Sequence, residues 1–262
     1  MMLEFDIGNS RIKWRLSDGA VEVSRGACSH NDFANDSQSD SFIVPVGTNI
    51  HRICVCNVAG NEPIEAIQQW AAARFDVGLE LAKVSDSAGG VRCGYREPDK
   101  LGVDRWLAVL AAWRQVGETC IVVDSGTALT IDVLMAADRE STNELSVEAE
   151  HLGGYIVPGL KLMPDSLYVR TSGVRFEQTM MTSLAPGTDT GAAVQRGCLA
   201  MVVALIERAR SDVSLQDELA KEIPVVLTGG AAEQLARFIE GPLHCIPDLV
   251  LDGLASALLV KD

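Results

Sequence analysis

Three short stretches of the chain combine a carboxylate or hydroxyl with glycine at the end of an apolar run, a pattern suited to holding phosphate. The first is Asp6-Ile7-Gly8-Asn9-Ser10-Arg11-Ile12-Lys13. A turn without a side chain at Gly8 lets a phosphate approach backbone N–H groups closely. Asp6, ending its strand, suits a Mg²⁺ held through water, because this hard cation takes oxygen ligands and keeps part of its hydration. Lys13 is near enough in sequence to offer a cation to a triphosphate. The second stretch is Asp124-Ser125-Gly126-Thr127-Ala128-Leu129-Thr130, where Gly126 and Thr127 would meet phosphates while Asp124 faces a cation. The third, Leu227-Thr228-Gly229-Gly230-Ala231, ends a strand and begins a helix; paired glycines there let a flat ring such as adenine lie against backbone. Singly, each also fits an ordinary hairpin or strand-to-helix connection, since Asp-x-Gly turns are common. The three in this order and at these separations point to a nucleotide.

The elements that must position them follow from periodicity. Leu3 to Ile7 reads as a buried strand, Gly8-Asn9 as a tight turn and Arg11 to Leu16 as the returning strand. Asp18-Gly19 then turns the chain into a third strand, Val21 to Arg25, and Ser29 to Ser41 is a polar surface loop or short helix. Arg52 to Val58 alternates as a strand; Asn61 can cap a helix running to about Phe75, with Pro63 tolerated in its first turn. Leu79 to Val84 is another strand, Ser85 to Lys100 an irregular stretch, and Val103 to Val116 a helix.

From Cys120 the pattern restarts. Cys120 to Asp124, a turn at Ser125-Gly126, and Leu129 to Met135 repeat the opening hairpin. Asp138 to Glu150 is charged and reads as an exposed loop before a strand at Leu152 to Val157; Pro158-Gly159 opens a short helix, and Arg170 to Thr182 reads as a linker. Thr188 to Arg208 is a helix apolar on almost every face, which belongs in a core or a subunit interface. Pro224 to Thr228 is a strand, Ala231 to Phe238 a helix, and Leu249 to Val260 a closing helix capped by Asp248. Two halves that each open with strand, Asp-x-Gly turn, strand imply two copies of one α/β domain facing a shared cleft, residues 1–117 and 118–262.

Composition sets the outer limits. With 262 residues, 47% of them hydrophobic, the chain can build one large domain or two smaller ones. A formal net charge of −14 argues against nucleic acid or an anionic membrane as a partner. No apolar run reaches the ~18 residues of a membrane span, and the first residues lack a secretory apolar core. The seven cysteines form no CxxC pair, so free thiols in a reducing cytoplasm are expected.

Together the three glycine-bearing stretches resemble the ATP-binding signature of the acetate and sugar kinase, Hsp70 and actin superfamily: two phosphate hairpins and an adenosine Gly-Gly turn. Three further segments narrow the resemblance to the type III pantothenate kinases: Gly102-Val103-Asp104-Arg105-Trp106 opening a helix, His151-Leu152-Gly153-Gly154-Tyr155-Ile156-Val157-Pro158-Gly159, and Pro186-Gly187-Thr188-Asp189-Thr190. The likeness spans nearly the whole chain. It implies two ribonuclease H-like domains around a nucleotide cleft, and ATP-dependent phosphorylation of pantothenate to 4'-phosphopantothenate, the first step of coenzyme A biosynthesis. It places the general base on Asp104, with Gly102, Val103 and Arg105 around the pantothenate, Arg105 meeting its carboxylate, and Tyr95 as a further substrate contact. Asp6 through Lys13 and Thr127 become ATP contacts, with Gly229 and Gly230 at the adenosine. Asp124 becomes the ligand of a monovalent cation, K⁺ or NH₄⁺. Thr190 becomes a substrate contact supplied by the neighbouring subunit of a homodimer with shared active sites, whereas His151 is structural.

The plainer roles are specific too. A first-turn Asp complements a helix dipole, Tyr95 could be a loop aromatic, and Thr190 an ordinary first-turn residue. The charged Asp138–Glu150 stretch departs from compact members of the family and reads as a surface elaboration. Two other functions compete: a kinase of the same superfamily acting on a sugar or carboxylate, and a non-catalytic ATP-dependent regulatory protein. The first is disfavoured because Asp6 to Ser10 lacks the Thr of many sugar kinases. The second has no use for a base such as Asp104.

Overall fold

The structure, a computed structural model, describes residues 1–36, 43–45, 47–137, 147–171, 182–214 and 222–258. The chain is mixed α/β and divides into two compact units, one made of Met1–Gly89, Tyr95–Ala111 and Leu249–Asp262, the other of Gly90–Gly94 and Ala112–Asp248. In place of the expected single cut at Gly117, the division falls inside the helix Val103–Val116, and the C-terminal helix returns to the first unit.

The first unit carries strands β1 (Met2–Ile7), β2 (Ile12–Asp18), β3 (Val21–Cys28), β4 (Arg52–Asn57), β5 (Leu79–Leu81) and the short β6 (Ser87–Ala88). Its helices are α1 (His30–Asp36), α2 (Asn61–Phe75), the start of α3 (Val103–Val116) and α7 (Leu249–Ala257). The sheet order is β3-β2-β1-β4-β5, antiparallel on the hairpin side and parallel from β1 to β5. Strand alternation sends Leu3, Phe5, Ile7, Ile53 and Val55 into one core with Ile67, Trp70 and Ala71 of α2. Phe33 of α1 closes it, its ring edge-to-face with Phe5 at 6.3 Å and Trp70 at 5.8 Å.

The opposite sheet face carries the polar partners of the same strands. There Arg15 grips buried Glu4 through two bonds of 2.7 and 3.1 Å and reaches Asp252 of α7 at 2.6 Å. This ion triad ties α7 to the opening hairpin, because a buried carboxylate stripped of its cation is strongly destabilising. Arg52 adds a bond to the Leu258 carbonyl at 2.7 Å. Two local expectations change. Asn61 lies inside α2 and Gly60 occupies the cap with no side-chain capping bond, while the Asn57 amide donates to the Gly60 carbonyl at 2.8 Å. The strand expected over Leu79 to Val84 stops at Leu81.

The second unit holds β7 (Val91–Arg92), β8 (Cys120–Ser125), β9 (Ala128–Ala136), β10 (Ala149–Pro158), β11 (Val225–Thr228) and β12 (Leu243–Cys245), with α4 (Leu162–Arg170), α5 (Thr190–Ser214) and α6 (Ala232–Ala236). Its strands run β12-β11-β8-β9-β10-β7. Ile121, Val123, Leu129 and Ile131 pack with Leu199, Val202 and Ile206 of α5 and with Val225 and Leu227 of β11. Thus α5 gives one side to this core. It is long and apolar enough in composition to cross a bilayer, but the buried side is that of a core helix. β10 begins at Ala149, earlier than expected, and β7 and β12 appear where none was expected. Most of the Asp138–Glu150 stretch (138–146) and of the Arg170–Thr182 linker (172–181) lies outside the described residues.

Candidate active site

β1 and β2 pair as far as Ile7 opposite Ile12, so Gly8, Asn9, Ser10 and Arg11 form the turn, closed by Gly8 N–H donating to the Arg11 carbonyl at 3.0 Å. Asn9, Ser10 and Arg11 are exposed. A Cβ on Gly8 would meet only the Arg11 carbonyl, at an ordinary 3.5 Å, and its φ is not left-handed. The fold itself does not ask for glycine there. The antiparallel register sets Asp6 beside Lys13, and the parallel register sets Asp6 beside Cys56 of β4. The Cys56 thiol is fully buried and hydrogen-bonded to the Asp6 carboxylate. Burial above all, then the charges of Asp6 and Asp104, pushes that thiol well above its usual range. Asp6 and Asp104, remote in sequence, therefore lie near one buried group.

Asp104 stands in the first turn of α3, where the Trp106 N–H bonds the Gly102 carbonyl at 3.0 Å. Its Oδ1 accepts the Arg105 backbone N–H at 2.8 Å, and a Cβ on Gly102 would crowd that oxygen at 2.6 Å. Arg105 is only 5% exposed. Its Nη1 donates to the Tyr95 hydroxyl at 2.7 Å, and its guanidinium carbon lies 5.6 Å from the centre of the Tyr95 ring. Tyr95, Gly102, Val103, Asp104 and Arg105 are thus one local group, pairing a proton acceptor with a cation suited to a carboxylate.

In the second unit, β8 and β9 close at Ser125 opposite Leu129, with Gly126 N–H donating to the Ala128 carbonyl at 3.0 Å. Gly126 and Thr127 are exposed. Here too a Cβ on the turn glycine would make only ordinary contacts, 3.5 Å to the Ala128 carbonyl and 3.8 Å to Asp124. The Gly159 N–H bonds the Thr127 carbonyl at 3.0 Å, so the end of β10 braces this hairpin.

Asp124 is half-buried between Thr130 of β9 and Thr228 of β11. Gly229, at φ +88°, presses against the Asp124 carboxylate and the Ser125 carbonyl. Glycine is required at 229 by the fold, whereas Gly230 is exposed with nothing near its Cβ position. The Ser125 carbonyl also accepts the Ala231 N–H at 3.2 Å, so Asp124 and Ser125 are packed against the Gly229–Ala231 backbone. Among the described residues no group of three or more His, Cys, Asp or Glu could form a metal cage. A cation at Asp6 or Asp124 would have to complete its shell with carbonyl, water or phosphate oxygen.

Thr190 is exposed at the first turn of α5. Asp189 caps that helix, its Oδ1 accepting the Ala192 N–H at 2.9 Å and its carbonyl the Ala193 N–H at 2.9 Å. From Thr190 an exposed stripe continues through Ala193, Gly197, Met201 and Ala204, with Met201 59% exposed. His151 is fully buried, its Nε2 2.8 Å from Asp132 Oδ1 across the β9–β10 ladder, a place suited to structure rather than chemistry. Reasoning from sequence did not single out Cys56, which lies in an apolar run, or His30, whose Nε2 is 2.9 Å from the Gly8 carbonyl oxygen.

A sequence model of the family described as Type III pantothenate kinase matches residues 2–212. A protein of Pseudomonas aeruginosa named Type III pantothenate kinase is 36% identical over 268 aligned residues, covering 100% of both chains. One of the same name from Nitrosococcus oceani is 33% identical, covering 97% of this chain and 92% of its own. Among solved structures, a Campylobacter jejuni protein described as a Baf family transcriptional activator aligns with a TM-score of 0.61 at 20% identity, over 98% of this chain and 97% of its own. A Sinorhizobium meliloti protein described as a 2-dehydro-3-deoxygalactonokinase aligns with a TM-score of 0.58 at 14% identity, over 98% of both. These likenesses carry the fold alone, a mixed α/β chain with two sheets.

Proposed function

The chain belongs to the type III pantothenate kinase family, and on that premise we propose how its own residues divide the transfer of a phosphoryl group from ATP to pantothenate. The enzyme phosphorylates pantothenate in coenzyme A biosynthesis. The observation that carries the site assignment is the local group of Tyr95, Asp104 and Arg105. Arg105 takes the pantothenate carboxylate, a pairing stronger than its bond to the neutral Tyr95 hydroxyl. Tyr95, Gly102 and Val103 shape the same pocket. Asp104 accepts the proton of the primary hydroxyl as its oxygen bonds to the γ-phosphorus and the bond to the ADP oxygen breaks.

ATP contacts are assigned to Asp6 to Lys13 on the first unit and, on the second unit, to Thr127, Gly229 and Gly230. Gly8 and Gly126 support this: neither a left-handed φ nor a contact closer than 3.5 Å asks for glycine in either turn. Mg²⁺, held by Asp6 through water, and K⁺ or NH₄⁺ at Asp124 would neutralise phosphate charge. A coupled ADP-release assay should respond to pantothenate and not to glucose, glycerol or acetate. A response to one of those three without pantothenate would remove this reading.

The cation assignment has its own test. With ATP and Mg²⁺ supplied, wild type should use ATP less well when Na⁺ replaces K⁺, because the larger ion fits a site of carbonyl and carboxylate oxygens with less dehydration. Asp124→Ala should abolish the difference. Equal wild-type rates in both salts would remove the ion from Asp124.

The assembly is a homodimer. The stripe from Thr190 to Ala204 is exposed, and on the same unit Val169 of α4 is 76% exposed. A twin docked on that stripe would carry its Thr190 to the neighbouring pantothenate. Seven free thiols fit a reducing cytoplasm, and the net charge of −14 fits neither nucleic acid nor a membrane surface as partner.

A further inference from the structure

We propose that His30 is a positioning residue for the nucleotide hairpin, fixing the Gly8–Asn9 peptide so that the Asn9 N–H is presented to phosphate; this rests on the assignment of that hairpin to ATP. The His30 Nε2 lies 2.9 Å from the Gly8 carbonyl oxygen. A carbonyl oxygen only accepts, so Nε2 carries the proton. The peptide is trans, and in a trans peptide the C=O of Gly8 and the N–H of Asn9 point to opposite sides. An imidazole on the carbonyl side therefore holds the Asn9 N–H outward on the other, at an exposed turn. Gly8 makes this anchor useful, because a glycine peptide plane rotates most easily when nothing holds it.

The start of α1, which carries the imidazole, is itself held. Ser29 and Asp32 form a reciprocal cap at the start of α1: the Ser29 hydroxyl accepts the Asp32 N–H at 3.1 Å, while the Asp32 carboxylate accepts the Ser29 N–H at 3.1 Å and the Ser29 hydroxyl at 2.7 Å. Those bonds pull the Asp32 carboxyl below its usual range. One turn on, buried Phe33 packs on Phe5 of β1, the residue before Asp6. The strand that carries the hairpin and the helix that braces it thus share one aromatic contact.

His30→Ala, His30→Asn and His30→Gln should be compared with Gly8→Ala by steady-state kinetics and by calorimetric ATP binding. A Gln amide nitrogen can stand near the position of Nε2, whereas an Asn amide is too short. Loss of one such bond should raise KM and Kd for ATP roughly three- to tenfold in the Ala and Asn variants. Their kcat and KM for pantothenate should stay within about twofold of wild type, and Gln should restore most of the ATP affinity. Unchanged ATP affinity in His30→Ala overturns the proposal, as does an equal defect in Gln and Ala, or a parallel loss of pantothenate affinity. If Ala fails to fold, the contrast between Asn and Gln still decides. Gly8→Ala separates the premise from the inference. If it also leaves ATP affinity unchanged, the hairpin does not meet phosphate and both fall; if it alone weakens ATP, only the role of His30 falls.

Discussion

Asp104→Asn should lower kcat by roughly 10²–10⁴-fold while ATP still binds. The substitution is chosen because it preserves nearly everything but the charge. Asn keeps an oxygen to accept the Arg105 N–H, the 2.8 Å bond that orients the carboxylate. It keeps the volume that Gly102 leaves open, and it leaves the Arg105–Tyr95 pair in place. What it loses is a lone pair basic enough to receive the hydroxyl proton during phosphoryl transfer. The defect should therefore fall on kcat and on kcat/KM together, the signature of an interaction made in the transition state. Calorimetric ATP binding within a few-fold of wild type completes the test. A variant that keeps more than about a tenth of the rate removes Asp104 from the role of base.

Parts of this site were legible because their signals are local. The two hairpins announce themselves through alternating strands that end in Asp-x-Gly, and α3 has the bounds that periodicity predicts, whereas α2 already includes the Asn61 expected to cap it. Tyr95 and Gly102 to Arg105 were singled out by family resemblance, and the fold sets the Arg105 guanidinium on the Tyr95 hydroxyl. What sequence cannot carry is pairing at a distance. Arg15 and Asp252 stand 237 positions apart, so nothing local says that α7 joins the first unit. Cys56 reads as one more apolar strand residue until the β1–β4 register sets it beside Asp6. His30 sits in a polar stretch that reads as a surface loop or short helix, and only the fold over Phe33 brings its ring to Gly8. Strands of two or three residues such as β7 and β12 have too few positions for alternation to register. On α5 the composition read as apolar nearly all round; the fold buries one side and leaves the stripe headed by Thr190 outside.

The proposed dimer makes the strongest prediction: each active site should combine Asp104 of one subunit with Thr190 of the other. Thr190 is exposed on its own subunit, and Asp189 fixes the turn that presents it. A two-fold contact along Ala193, Gly197, Met201 and Ala204 would be self-complementary and would carry both copies of Thr190 across at once. Asp104→Asn and a bulky Thr190→Tyr that blocks the pocket should each be nearly inactive alone. Co-expressed with different tags, the two chains should assort so that about half of the dimers are mixed. In a mixed dimer one site receives both lesions and the other receives neither, so the unfractionated mixture should regain about a quarter of wild-type activity, and the purified mixed dimer about half. If Thr190 serves its own subunit, every site in the mixed dimer carries one lesion and no activity returns. Absence of rescue in a mixed dimer verified by both tags would therefore refute the shared site while leaving the kinase assignment intact. A monomer in sedimentation at catalytic concentrations, fully active, would refute the dimer itself.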